Sequence, residues 1–235
     1  MSGHSKWSNI KNKKAANDKV KGSIFTKMAK GITIAVKKGG GVGDPNQNFS
    51  LRLAIDKARA VNMPKENIDR AIDKGLGKGG AELAELTIEV FAPDGIMAIL
   101  EVVTDSRNRT VAEIRTLIEK HGGRMGEPGG VMYLFDHCGI VHTPEKITDE
   151  MELTMIDLGM TDMVSEDDGS TIIYTSAESM HSVIKYLHEQ GITAGGTIGY
   201  RPKVTVELAD SSRVEAFLEI ISEYEDVQEV YANLG

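Results

Sequence analysis

A change of hydrophobic period at residues 76–80, "LGKGG", divides this 235-residue chain into a helical part and a part that alternates strands with helices. Before the change, apolar residues recur every three to four positions: Phe25, Met28, Ile32 and Ala35 form one stripe, stopped by Gly39 to Gly41. Asp44-Pro45 reads as the start of a second helix, because an aspartate can cap free N–H groups and a proline at the first helical position sacrifices no hydrogen bond. Leu51, Ile55, Ala58 and Val61 are its inward stripe. "NMPKENIDRAIDKG" supplies a third helix, opened by Pro64 and closed by Gly75. The expectation is a three-helix bundle, preceded by an arm from Met1 to about Gly22 that has no usable period and is ordered only on binding.

After the change, "LTIEVFA" (86–92) alternates, and "GIMAILEVV" (95–103) is almost continuously apolar, as a strand covered on both faces would be. Thr110-x-x-Glu113 reads as a capping box opening a helix that turns Val111, Ile114 and Ile118 inward. "GGVMYLF" (129–135) reads as a strand. "KVTVEL" (203–208), a helix carrying Val214, Phe217, Leu218 and Ile221, and "VQEVYA" (227–232) spell strand, helix, strand. Between them lies a self-contained βαββαβ set, with "GIVHT" first, helices near 149–158 and 178–190, a hairpin turning at Asp168-Gly169 and a last strand near 198–203. Without that set, the flanking pieces close into a second βαββαβ set with one extra leading strand. The predicted fold is therefore α+β: an N-terminal three-helix bundle plus two ferredoxin-like α+β domains, one inserted into the other. The expected domains are 1–80, 81–136 with 204–235, and 137–203.

Charge follows the same division. Residues 1–80 hold 17 Lys+Arg against 6 Asp+Glu, and the remainder holds 10 against 29. Such asymmetry points to a polyanionic partner for the basic part, the alternative being neutralisation of one part by the other within the molecule. The candidate contacts are Lys6, Lys11, Lys13, Lys14, Lys19, Lys21, Lys27 and Lys30, joined by Arg52, Lys57, Arg59 and Lys65. Trp7 either stacks on a base or packs on the bundle. In "TDSRNRT" (104–110), Arg107 and Arg109 precede a helix N-terminus, so two guanidinium groups and free N–H groups could meet on one phosphate; the competing reading is a loop tied by an Asp105–Arg pair. The second and third helices resemble a helix-turn-helix in outline, but Glu66, Asp69 and Asp73 balance Lys65, Arg70 and Lys74, which suits backbone and shape recognition of structured RNA better than major-groove reading.

Other chemistry is poorly represented. Cys138 is the lone cysteine, so no internal disulfide forms, and His137, Cys138 and His142 read as strand residues rather than a metal set. "HGGRMGEPGG" (121–130) lacks G-K-[ST] and follows a helix, so it reads as a cap and turn. Met151, Met155, Met160 and Met163 read as core. Without a recognisable catalytic constellation, a secretory h-region or a membrane-length apolar run, the expectation is a cytoplasmic, non-enzymatic protein with no cofactor, no bound metal and no membrane association.

"GHSKW", "NIKNKKAANDKVKGSIFTK", "GDPNQN", "NMPKENIDRAIDKG", "TDSRNRTVAEIR", "GGRMGEPGGV" and "DDGSTII" together resemble the YebC family along the whole chain. The resemblance implies a helical N-terminal domain, two α+β domains and nucleic-acid-associated regulation without known catalysis. Members of that family are described both as DNA-binding transcriptional regulators and as ribosome-associated factors that assist proline-rich peptide synthesis. Phe49-Ser50, "FAPDG" (91–95) and "FDHCG" (135–139) depart from the family pattern and remove some positive charge, leaving the arm intact. The leading expectation is a translation factor that docks its basic part on ribosomal RNA while the acidic domains orient it or touch protein. A DNA-binding transcriptional regulator is the second, and an enzyme or ligand sensor built on the ferredoxin-like domains the third.

Overall fold

The structure is a computed structural model that describes residues 18–79, 82–166 and 168–235. It divides into two compact units: residues 135–203, and the flanking segments that end at Leu134 and resume at Val204.

The flanking unit opens with α1 (Asp18–Lys38), α2 (Phe49–Ala60) and α3 (Lys65–Gly75). Helix α1 begins before Gly22, so residues 18–22 belong to the helix rather than to the expected arm. Ile32, Val36, Leu51, Ile55, Ala58, Ile68 and Ala71 fill the bundle core at the spacing of one face per helix. Val61 falls just outside, as the residue that ends α2. The second helix starts later than Asp44-Pro45 implied. Asp44 instead shapes a turn, accepting from the Asn46 N–H at 2.9 Å, and Asn48 is the cap: its Oδ1 accepts from the Leu51 N–H at 3.0 Å. The same amide donates to the Ala35 and Val42 carbonyls, both at 3.0 Å, tying the end of α1 to the start of α2. Helices α1 and α3 approach so closely at Gly75 that a Cβ there would lie 2.6 Å from the Val36 side chain.

Four strands follow in this unit: β1 (Ala84–Phe91), β2 (Met97–Thr104), β3 (Arg124–Met125) and, near the end of the chain, β8 (Val227–Ala232). Their spatial order is β3-β1-β2-β8, all antiparallel. That is the ferredoxin-like arrangement with the leading strand β1 occupying the slot that a third strand would otherwise take. The two segments expected to supply further strands do not. Residues 132–134 form a 3-10 turn, and "KVTVEL" contributes one isolated bridge, Val206 to Leu234. Helices α4 (Arg107–Lys120) and α7 (Ser212–Ser222) cover one face of the sheet, where Ala98, Leu100 and Val102 meet Ile114, Ile118, Phe217 and Leu218. The opposite face of β2 is covered as well: Val103 packs with Ile34 of α1 and Leu83, and Ile99 is fully buried. The near-continuous apolar run of β2 is thus explained by helices on both sides.

The unit of residues 135–203 contains β4 (Phe135–Thr143), α5 (Asp149–Asp157), β5 (Met160–Ser165), β6 (Thr171–Thr175), α6 (Met180–Glu189) and β7 (Gly195–Pro202). The order β5-β6-β4-β7 is the ferredoxin-like ladder expected of βαββαβ. Its core takes Val141, Ile173, Met155, Val183 and Leu187, all fully buried. A Cβ at Gly139 would lie 2.7 Å from Met180, so the missing side chain lets α6 sit directly on β4. Among the described residues no helix is long and apolar enough to cross a membrane.

Candidate nucleic-acid interface

The predicted cations separate into those that face the sheet and those that face outward. Lys6, Trp7, Lys11, Lys13 and Lys14 lie outside the described residues, and Lys19 and Lys21 fall in the first turns of α1. Further along α1, Lys27 and Lys30 turn inward, whereas Lys37 and Lys38 stay exposed. The Lys27 ammonium donates to the Ser222 carbonyl at 3.2 Å, and burial, followed by repulsion from Lys57, pulls its pKa down to about 8. Lys30 pairs with Asp226. Lys38 lies 2.5 Å from Glu85, Lys37 3.8 Å from Glu82, and Lys57 3.3 Å from Glu229. Part of the basic excess is therefore neutralised by carboxylates on and beside the sheet, which is the intramolecular alternative that composition leaves open.

Asp226 is the centre of this contact. Its side chain is 0% exposed, and it accepts from Lys30 and, at 2.5 Å, from the Thr110 hydroxyl, which also lies 2.7 Å from the Thr104 hydroxyl. Burial alone would raise the carboxyl pKa; the hydrogen bonds from Lys30 and Thr110 and the Lys30 charge outweigh it and hold the group below the usual carboxylate range. This explains why Thr110 is not the helix cap that a capping box implied. Ser106 precedes the first helical residue, and Thr110, one turn inside α4, is fully buried and committed to Asp226.

Arg107 and Arg109 consequently sit in the first turn of α4 rather than ahead of it. Arg109 donates to Asp105 at 2.9 Å and stands 3.8 Å from Asp226, so two carboxylates already occupy the place expected for a phosphate. Arg107 is exposed.

The outward cations lie on the bundle. Arg52 is exposed with its guanidinium 5.4 Å from the Phe49 ring centre; Arg59 is exposed beside Asp56 at 3.5 Å; Lys65 is exposed at the start of α3. To these the structure adds two residues absent from the predicted set, Arg70 and Lys74. They share one stripe of α3 with Asn67, while Glu66, Asp69 and Asp73 share the neighbouring stripe, because residues three, four and seven apart superpose on a helix. Averaging charge over the whole helix hides that separation. Asn67, Arg70 and Lys74 line a groove of about 360 Å³ between α1 and α3, whose apolar lining includes Phe25, Ala29 and Met63.

The glycine-rich loop after α4 holds an anion of the protein's own. Glu89 of β1, 7% exposed, accepts from the N–H groups of Gly129 and Val131 at 2.5 Å and of Met132 at 2.7 Å. Burial opposes ionisation, and the three N–H donors more than compensate, lowering its pKa. Residues 129–132 spend these donors on a carboxylate rather than on a neighbouring strand, which is why "GGVMYLF" is not one. Elsewhere, Met155 and Met160 are core residues, Cys138 is buried and burial pushes its thiol up to about 11, and no cluster of three metal-ligating side chains occurs among the described residues.

Comparison with known proteins matches residues 5–78 to the TACO1/YebC protein N-terminal domain and residues 83–234 to the TACO1/YebC second and third domain. A probable transcriptional regulatory protein of Kosmotoga olearia is 42% identical over 239 residues, covering 99% of this chain and 94% of that one. Another, from Roseiflexus castenholzii, is 41% identical over 244 residues, covering 100% and 95%. The crystal structure of a conserved hypothetical protein from Aquifex aeolicus superimposes with a TM-score of 0.85 at 36% identity, over 98% of this chain and 97% of that one.

Proposed function

This chain belongs to the TACO1/YebC family, and from that premise we propose that it is a cytoplasmic, non-enzymatic regulator of gene expression that binds RNA at the ribosome through its N-terminal part. The observation that carries the reading is the outward set Arg52, Arg59, Lys65 and Arg70, with Lys74 half-buried beside it, on a bundle whose Lys27 and Lys30 are turned inward. Cations that point to solvent and lack a buried partner gain most from phosphate, through release of condensed counterions. The arm of Lys6, Lys11, Lys13 and Lys14 extends the same charge in sequence. The segment 135–203 carries 12 Asp+Glu against 4 Lys+Arg, which keeps it off phosphate and suits it to orienting the molecule or touching protein.

A second reading, a DNA-binding transcriptional regulator, is favoured by the names of the relatives. Against it stands α3: placed in a major groove as a recognition helix, it would bring Glu66, Asp69 and Asp73 beside the phosphates. Competition at fixed salt among ribosomes, structured RNA and duplex DNA separates the two. Ribosomes and RNA are expected to win, and a duplex of defined sequence winning by orders of magnitude would establish the second reading.

A further inference from the structure

We propose that the groove between α1 and α3 is a nucleotide subsite that takes one unstacked base of a single-stranded RNA, an inference that rests on the RNA-binding reading above. Its volume of about 360 Å³ lies within the ligand-sized range and far exceeds a packing defect. Phe25, Ala29, Met63 and Ala71 give it an apolar lining with one aromatic ring, the surface on which a flat base stacks. Arg70 and Lys74 stand beside that lining, one helical turn apart, where the phosphates flanking an inserted base would lie. None of the described residues lining it is acidic, although the chain holds 35 Asp+Glu against 27 Lys+Arg.

The polar groups of the lining divide in a way that fits the same occupant. The Lys30 ammonium is held by Asp226, and the Thr33 hydroxyl donates to the Ala71 carbonyl at 3.0 Å, so both are spent within the fold. Asn67 accepts from Arg70 through its Oδ1, which leaves its amide nitrogen as a donor toward the edge of a base. Apolar stacking surface, an amide donor and two cations match the three parts of a nucleotide: ring face, ring edge and phosphate.

The test uses the full-length protein with a single-stranded RNA of about eight nucleotides, an abasic strand of equal length, and the same RNA carrying 4-thiouridine at one position. At equal salt the base-bearing strand is expected to bind about tenfold or more tighter than the abasic one. Cross-links are expected on Phe25, Met63 or Asn67. Ala29→Phe should fill the groove and remove the preference for bases, so that the two strands bind alike. The double substitution Arg70→Ala, Lys74→Ala should weaken both strands. Equal binding of the two strands by the unmodified protein, or cross-links confined to Trp7 and the arm, overturns the groove inference and leaves salt-dependent RNA binding standing. Loss of binding to both strands at every salt concentration overturns the parent reading with it.

Discussion

Lys30 and Asp226, 196 residues apart in sequence, form an ion pair in which the carboxylate is wholly buried and the lysine nearly so. The pair joins α1 to the turn that precedes β8, and through Thr110 it also reaches the first turns of α4. Removing one partner leaves the other charged in a dry site. Lys30→Ala should therefore destabilise the protein by about 3–5 kcal/mol in urea melts, while Lys30→Met with Asp226→Leu should recover much of the loss. Recovery by the double substitution distinguishes a desolvation cost from loss of a needed attraction.

Acid lability follows from the same carboxylate. The folded pKa of Asp226 is depressed, so its contribution to stability is present above the unfolded value of ~3.9 and is lost as pH falls through the folded value. Asp226→Asn, less stable at neutral pH, should show a shallower decline between about pH 5 and 2 when followed by circular dichroism in urea.

Lys27 behaves in the opposite sense. Its pKa near 8 lies below the ordinary 10.5, so the unfolded chain binds more protons between those values and folding stability rises with pH across that window. Below about pH 8 the full cost of burying the charge is present. Lys27→Met should be more stable than the parent at pH 7, by roughly 1–2 kcal/mol after loss of the bond to Ser222, and the difference should shrink as pH rises from about 8 toward 10. A difference that stays constant over that range would remove the titration from the explanation.

Glu89→Gln replaces a charged acceptor of three backbone N–H groups with a neutral amide. The expected cost is about 2–4 kcal/mol, and hydrogen exchange should accelerate first at Gly129, Val131 and Met132. Because the Glu89 pKa is lowered, that protection should also weaken in the parent protein at acid pH, as the carboxylate takes up a proton.

The inward and outward cations are expected to fail differently. Arg52→Ala, Arg59→Ala and Lys65→Ala should leave the melting curve nearly unchanged and reduce the salt slope of RNA binding by about 0.7 for each phosphate no longer neutralised. Lys11→Glu, Lys13→Glu and Lys14→Glu together should abolish co-purification with ribosomes without unfolding the protein. Lys30→Ala should show the reverse, a large stability loss with little change in slope.

Helices and strands are legible where a single face is apolar, as in α2, or where both faces are, as in β2, because burial imposes its pattern directly on the sequence. Positions decided by distant partners are not. Nothing local distinguishes Thr110 as a ligand of Asp226 from Thr110 as a cap, and nothing near "GGVMYLF" reveals that its N–H groups serve Glu89, some forty residues earlier. The start of α2 is displaced by one turn from its expected place because Asp44 and Asn48 both carry cap chemistry and only tertiary bonds to Ala35 and Val42 select Asn48. On the bundle, sign alone does not say which lysines meet solvent. Their orientation toward the sheet depends on carboxylates contributed from as far away as Glu229, whereas the Asn67, Arg70 and Lys74 stripe is readable from helical spacing.

The placement of β1 beside β2 has a consequence for biosynthesis. Strands β1, β2 and β3, together with α4, are all made before residue 135, so three of the four rungs of that sheet are available to a chain still being elongated. Asp226 arrives much later, and until it does Lys30 has no counter-ion in that site. The clasp between the helical layer and the sheet therefore closes last, and a chain still being elongated presents Lys30 and Lys57 without the carboxylates that will hold them.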